Sequence, residues 1–134
     1  PDAEVVRYCE RVRAASGLTI AVVGIGTNGH IAFNEPGSTE LSPCRVVQLA
    51  ETTRAQVADH WQPAPTHGMT LGMDDILQAR QVILLASGPG KARVLSAALT
   101  GPETSKVPAS FLRRHPSFSV VCDLAAAFGL RSSG

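Results

Sequence analysis

Residues 22–38, VVGIGTNGHIAFNEPGS, bring an imidazole, a carboxylate and an amide close together in the chain, at His30, Glu35 and Asn28. Imidazole changes charge near neutral pH and is the usual proton carrier, and a carboxylate nearby orients the ring and favours its charged form. Spacing alone leaves two readings open: a proton-handling pair, or a histidine bonded to a loop carbonyl beside a surface glutamate. Asn28 can hold one ring tautomer by hydrogen bonding, but an amide cannot balance an imidazolium as a carboxylate does. Phe33 reads as packing. A second group lies in SGPGKARVLSAALTG, where Gly88, Pro89 and Gly90 lead into a helix with Lys91 in its first turn. A cation at the positive end of the helix dipole slightly destabilises the helix, and a bound anion reverses that sign. Exposed helix amides with a lysine make a phosphate or carboxylate seat; a solvated surface lysine is the alternative. The spacing is not that of a P-loop.

Gly24, Gly26 and Gly29 also have the G-x-G-x-x-G spacing of a dinucleotide site, and Glu51 stands at roughly the 20-residue distance of its ribose-binding acid. That fingerprint needs a helix opening at the third glycine. Here only His30 to Glu35 intervene before Pro36 and Gly37, too short a run for the crossover helix. The glycines are better read as letting a loop backbone approach a ligand while carrying His30 and Glu35 over a sheet edge.

The elements that would position these loops alternate. Val5, Val6, Cys9 and Val12 recur at helical spacing over 2–16, with Asp2 as cap and Gly17 as stop. Residues 18–23 form a continuous apolar run that reads as a strand buried on both faces. Further strands are expected at 45–49, 81–86 and 117–122, and helices at 52–61, 73–79, 91–99 and 108–114, the last opened by proline. Strand and helix alternating in this way predict a single α/β domain over 1–134, a mainly parallel sheet flanked by helices. Ligands of such sheets sit beyond the carboxyl ends of the strands, where VVGIGTNGH, LLASGPGKA and VVCDLAA would emerge.

A net charge of +1 and 4% aromatic residues leave no electrostatic footprint for nucleic acid. No apolar run is long enough for a bilayer span and nothing at the start resembles a secretion signal. Cys9, Cys44 and Cys122 are odd in number, scattered and without a C-x-x-C pair, which fits a reducing cytoplasm. A first residue of proline reads as a start inside a longer chain.

GIGTNGHIAFNEPGS, continued by MTLGMDDILQA, VILLASGPGKA and VPASFLRRHPSFSVVCD, resembles the glucosamine-6-phosphate deaminase (isomerase) family across nearly the whole chain. The sister sugar-phosphate lactonases share the strand and glycine loop but usually carry G-H-T-A-S-L-F, so the resemblance favours the deaminase. It implies a Rossmann-like sheet without a nucleotide. It also implies conversion of glucosamine 6-phosphate and water to fructose 6-phosphate and ammonia, with no metal or organic cofactor. His30 would relay the proton that opens the pyranose ring, Glu35 would support it, Asn28 would stand where many members have aspartate, and Lys91 would bind the sugar phosphate. A sugar phosphate is the implied partner, with neither nucleic acid nor membrane; assembly as a homo-oligomer is left open.

The chain departs from that pattern in places. Asp59 stands where family members often have a substrate-reaching arginine, with Arg54 nearby. Ser38 and Arg45 match two residues of an effector site found in allosterically activated relatives, but Val47 replaces its lysine. Family proteins also have an amino-terminal half with another phosphate loop and the aspartate that moves a proton between C2 and C1. The chain therefore reads as the carboxyl-terminal part of a deaminase, with a noncatalytic sugar-phosphate-binding module as the alternative.

Overall fold

The computed structural model describes residues 2–133. The first helix, α1 (Asp2–Ala14), stops where Ser16 and Gly17 turn left-handed at φ 65° and 78°, and the Gly17 N–H donates to the Val12 carbonyl at 3.0 Å. Glycine adopts that φ without a Cβ clash and so closes the helix. The cap expected from Asp2 falls on a side chain outside those described.

Three parallel strands, β1 (Ile20–Gly24), β4 (Gln81–Ala86) and β5 (Phe118–Cys122), form a sheet in the order β1-β4-β5. Val22 pairs with Ile83 and Leu84 with Val120. The expected strand at 45–49 is present as β2 (Arg45–Gln48), but it is not in the parallel sheet. It pairs antiparallel with β3 (His67–Thr70), which sequence reasoning did not foresee. Between them runs α2 (Glu51–Ala58), followed after β3 by α3 (Met73–Leu77). After β4 a short 3₁₀ turn, Pro89–Lys91, leads into α4 (Ala92–Thr100), and Pro108–Arg114 is a 3₁₀ segment where an α-helix was expected.

Alternation along the strands decides what the sheet buries. Ala21, Val82, Leu84 and Ala86 face a core shared with Val94, Leu95 and Ala98 of α4 and with Ala109, Phe111 and Leu112. Each fully buried side chain of Val or Leu size contributes about 1.5–3 kcal/mol. The opposite face differs from the expectation of a strand covered on both sides. Ile20 is 51% exposed, Val22 59%, Leu85 44% and Val121 58%. No described helix packs over that stripe closely enough to bury it, so alternating apolar residues there face outward.

Cys9 and Cys44 are joined in a disulfide that ties α1 to the approach of β2, leaving Cys122 as the free thiol. With this bond formed, the cysteines no longer argue for the reducing compartment that their scattered spacing suggested. Their spacing of 35 residues gave no pairing signal, because the fold brings their Cα atoms to 6.2 Å. No described helix is long and apolar enough to cross a membrane.

Candidate active site

No helix opens at Gly29. Residues 25–44 instead form a loop folded on itself: the Gly26 N–H donates to the His30 carbonyl at 2.9 Å, and the Gly29 N–H to the Gly26 carbonyl at 2.9 Å. Ile31, fully buried, anchors its middle in the core. Strand β3 supplies the rest of the support. The Thr70 hydroxyl accepts the Phe33 N–H at 3.1 Å, and the side-chain amide of buried Asn34 donates to the Leu71 carbonyl at 2.9 Å.

This loop lays the His30 ring over Gly26, where any Cβ would overlap the imidazole. Nδ1 of His30 lies 3.3 Å from Oε2 of Glu35, both side chains being largely shielded from solvent. Asn28 does not hold the ring. Its amide nitrogen donates to Glu35 Oε2 at 2.9 Å, and its oxygen accepts the His30 backbone N–H at 3.1 Å. The other carboxylate oxygen is taken by a residue that sequence reasoning missed: Thr53, 3% exposed on α2, donates to Glu35 Oε1 at 2.5 Å and stands 3.5 Å from His30 Nδ1. Its only sequence signal is a small polar residue on the inward side of a mostly exposed helix.

Lys91 approaches from the β4 loop, its ammonium donating to the Ile25 carbonyl at 2.6 Å. Burial lowers the His30 pKa below its usual 6.5; the Glu35 carboxylate raises it, Lys91 lowers it, and the net direction is down. A buried imidazole resists protonation because its charged form loses hydration. With Nδ1 turned to the carboxylate, a ring proton on Nδ1 leaves the Nε2 lone pair as acceptor.

Lys91 also lines a cavity of about 460 Å³ at the carboxyl ends of β1, β4 and β5, with Gly24, Ile25, Ser87 and Asp123. Across it the Asp123 carboxylate accepts the Ala126 N–H at 2.8 Å and the Gly88 N–H at 2.9 Å, and these backbone donors hold its pKa below 3.8. The Gly88 amide, a candidate for an open anion seat, is thus already occupied. A second cavity, about 610 Å³ and lined by Tyr8, Ile20, Val22, Phe33 and Met69 among others, holds none of the four expected site residues. Asp59 is exposed at the end of α2. Arg54 is half-buried, its Nε buried without a hydrogen-bond partner among the described residues.

The chain is thus an α/β protein that carries, at the carboxyl ends of parallel strands, a histidine–carboxylate pair and a lysine whose charge acts on the imidazole. The comparisons narrow that class. A family model described as glucosamine-6-phosphate isomerases/6-phosphogluconolactonase matches residues 1–121, and the chain belongs to this family. It is 42% identical over 124 residues to a glucosamine-6-phosphate deaminase of Rhodopirellula baltica, covering 90% of this chain and 49% of that one. With the deaminase of Cutibacterium acnes it shares 43% over 129 residues, covering 94% and 49%. A solved monomeric glucosamine-6-phosphate deaminase superimposes with a TM-score of 0.90 at 37% identity, over 95% of this chain and 54% of that one. A 6-phosphogluconolactonase from Trypanosoma cruzi gives 0.74 at 25% identity, over 96% and 52%. The chain spans about half the length of the curated relatives it matches.

Proposed function

We propose that this chain provides the ring-opening and phosphate-holding part of a glucosamine-6-phosphate deaminase, folded as one α/β domain. The observation that carries the reading is the 3.3 Å approach of His30 Nδ1 to Glu35 beside a lysine whose charge reaches the ring. Resemblance to named deaminases supplies the substrate class.

In this reading the Lys91 ammonium leaves the Ile25 carbonyl for the more strongly bound phosphate of the sugar. His30, held neutral at neutral pH, accepts the proton of the sugar's O1 hydroxyl at Nε2. It returns that proton to O5 as the C1–O5 bond breaks, leaving an aldehyde at C1. Glu35 stabilises the transient imidazolium, and Asn28 and Thr53 keep both carboxylate oxygens aimed. Transfer of the C2 proton to C1 requires a further base within hydrogen-bond reach of that carbon, a role assigned to no residue here.

Titration with glucosamine 6-phosphate, followed by NMR, tests the reading. Saturable shifts at His30 and Lys91 are expected, abolished in Lys91→Met, with any ammonia release lost in His30→Gln. Absence of saturable binding sinks the proposal. Hydrolysis of 6-phosphogluconolactone without any response to the amino sugar would move the chain to the lactonase branch.

A further inference from the structure

The residues on either side of Glu35 are gripped by one guanidinium. Arg45, on β2, donates from Nη1 to Asn34 Oδ1 at 2.9 Å and from Nη2 to the Ser38 hydroxyl at 2.9 Å. Nη1 also reaches the Pro43 carbonyl at 2.8 Å. Asn34 immediately precedes Glu35, and Ser38 closes the turn after it, its N–H donating to the Glu35 carbonyl at 3.0 Å. Both are buried, Asn34 fully and Ser38 at 8% exposure.

No described carboxylate forms an ion pair with Arg45, which is half-buried and made less basic by its burial. Desolvating a guanidinium against neutral partners alone is unfavourable, and a side chain that served only packing would not need the charge. The planar fork does what other side chains cannot: it spans two acceptors at fixed separation, whereas lysine offers a single point.

We infer that Arg45 is a positioning residue for Glu35, bracketing the 34–38 turn from both sides so that its carboxylate is presented to His30. The inference rests on the reading of His30 and Glu35 as a proton-handling pair, and its test needs no turnover. The charged groups acting on His30 are Glu35 and Lys91; Asn28 and Thr53 are neutral neighbours. Removing the carboxylate in Glu35→Gln lowers the His30 pKa by an amount that measures how well Glu35 is placed.

The experiment measures this shift by NMR titration of the His30 ring, once in the wild-type background and once in Arg45→Lys. A bracketing role predicts that the Glu35→Gln shift falls to less than half in Arg45→Lys, with Lys91 untouched. An equal shift in both backgrounds overturns the inference, even if Arg45→Lys melts at lower temperature, because loss of stability alone does not uncouple the pair. Should Arg45→Lys fail to fold, Ser38→Ala removes one arm of the bracket. A reduced Glu35→Gln shift in that background supports the inference, and an unchanged one overturns it.

Discussion

The loop after β1 is held by side chains from three other elements as well as by its own backbone, whereas the loop after β4 is held by main chain and one carboxylate. In the first, Thr53, Thr70 and Arg45 arrive from α2, β3 and β2 and join Asn28 of the loop itself to fix the 26–38 segment and the carboxylate of Glu35. In the second, Gly88 at φ 86° lets the chain turn, Asp123 accepts its N–H, and Lys91 reaches the Ile25 carbonyl on a flexible stem. The difference follows from the tasks proposed for the two loops. Moving a proton depends on direction, so the imidazole and carboxylate must be held at a defined distance and angle. Supplying a positive charge depends mainly on location, and a lysine on a tethered turn suffices.

Substitutions that strike the first loop should therefore cost most. Gly26→Ala places a methyl group inside the His30 ring position, and displacement of the ring on the order of 1 Å predicts about a hundredfold slowing of the proposed ring opening, read by NMR as exchange between the anomers of glucosamine 6-phosphate. Exchange within a fewfold of wild type would show that the ring does not need its seat over Gly26. Thr53→Val comes next. It leaves a buried carboxylate oxygen short of its donor, and urea denaturation should report a loss of about 1–3 kcal/mol.

In the second loop, Gly88→Ala meets no atom within 4 Å but must hold φ 86° with ψ 158°, a region nearly confined to glycine, so about 1–3 kcal/mol of destabilisation is expected. The binding response of Lys91 should survive it. A larger loss than in Thr53→Val would erase the contrast between the loops.

The smallest effect is a slope. His30 titrates below 6.5 in the folded chain, so at a pH between its folded and unfolded pKa values the unfolded chain holds a proton that the folded one lacks. Its contribution to stability is therefore full above 6.5 and declines as pH falls through that window, levelling off below the folded pKa. Denaturation midpoints compared across this range should rise with pH more steeply in wild type than in His30→Gln. Equal slopes would place the imidazole in a water-like environment.

Much of this organisation was legible in the sequence, and what was not has physical reasons. The strand at 81–86 is apolar, β-branched and bounded by turn residues, and the structure keeps those bounds. His30, Glu35 and Lys91 could be singled out because they are ionisable side chains carried on glycine-rich loops that follow such strands. Strand β3 escaped notice because HGMT is short, contains glycine and shows no alternation; it exists through its pairing with β2. Yet β3 brings Thr70 and the Leu71 carbonyl to the site loop. Asn28 was given the wrong partner because the turn that faces its oxygen toward the His30 backbone is a tertiary detail. Thr53 and Arg45 act across 18 and 11 residues respectively, and no periodicity reports contacts of that kind. The outward stripe of β1 carries the same composition as a doubly covered strand, so composition could not distinguish the two.

The bond between Cys9 and Cys44 has a topological consequence. It closes a covalent ring containing β1 and the whole segment from Asn28 to Glu35, while Thr53 and Lys91 stand outside it. A protease nick in the exposed part of residues 39–42 would open that ring without severing the polypeptide into separable pieces, until a thiol reagent is added. The same closure restricts the unfolded chain, which on loop-entropy grounds is worth about 3–5 kcal/mol.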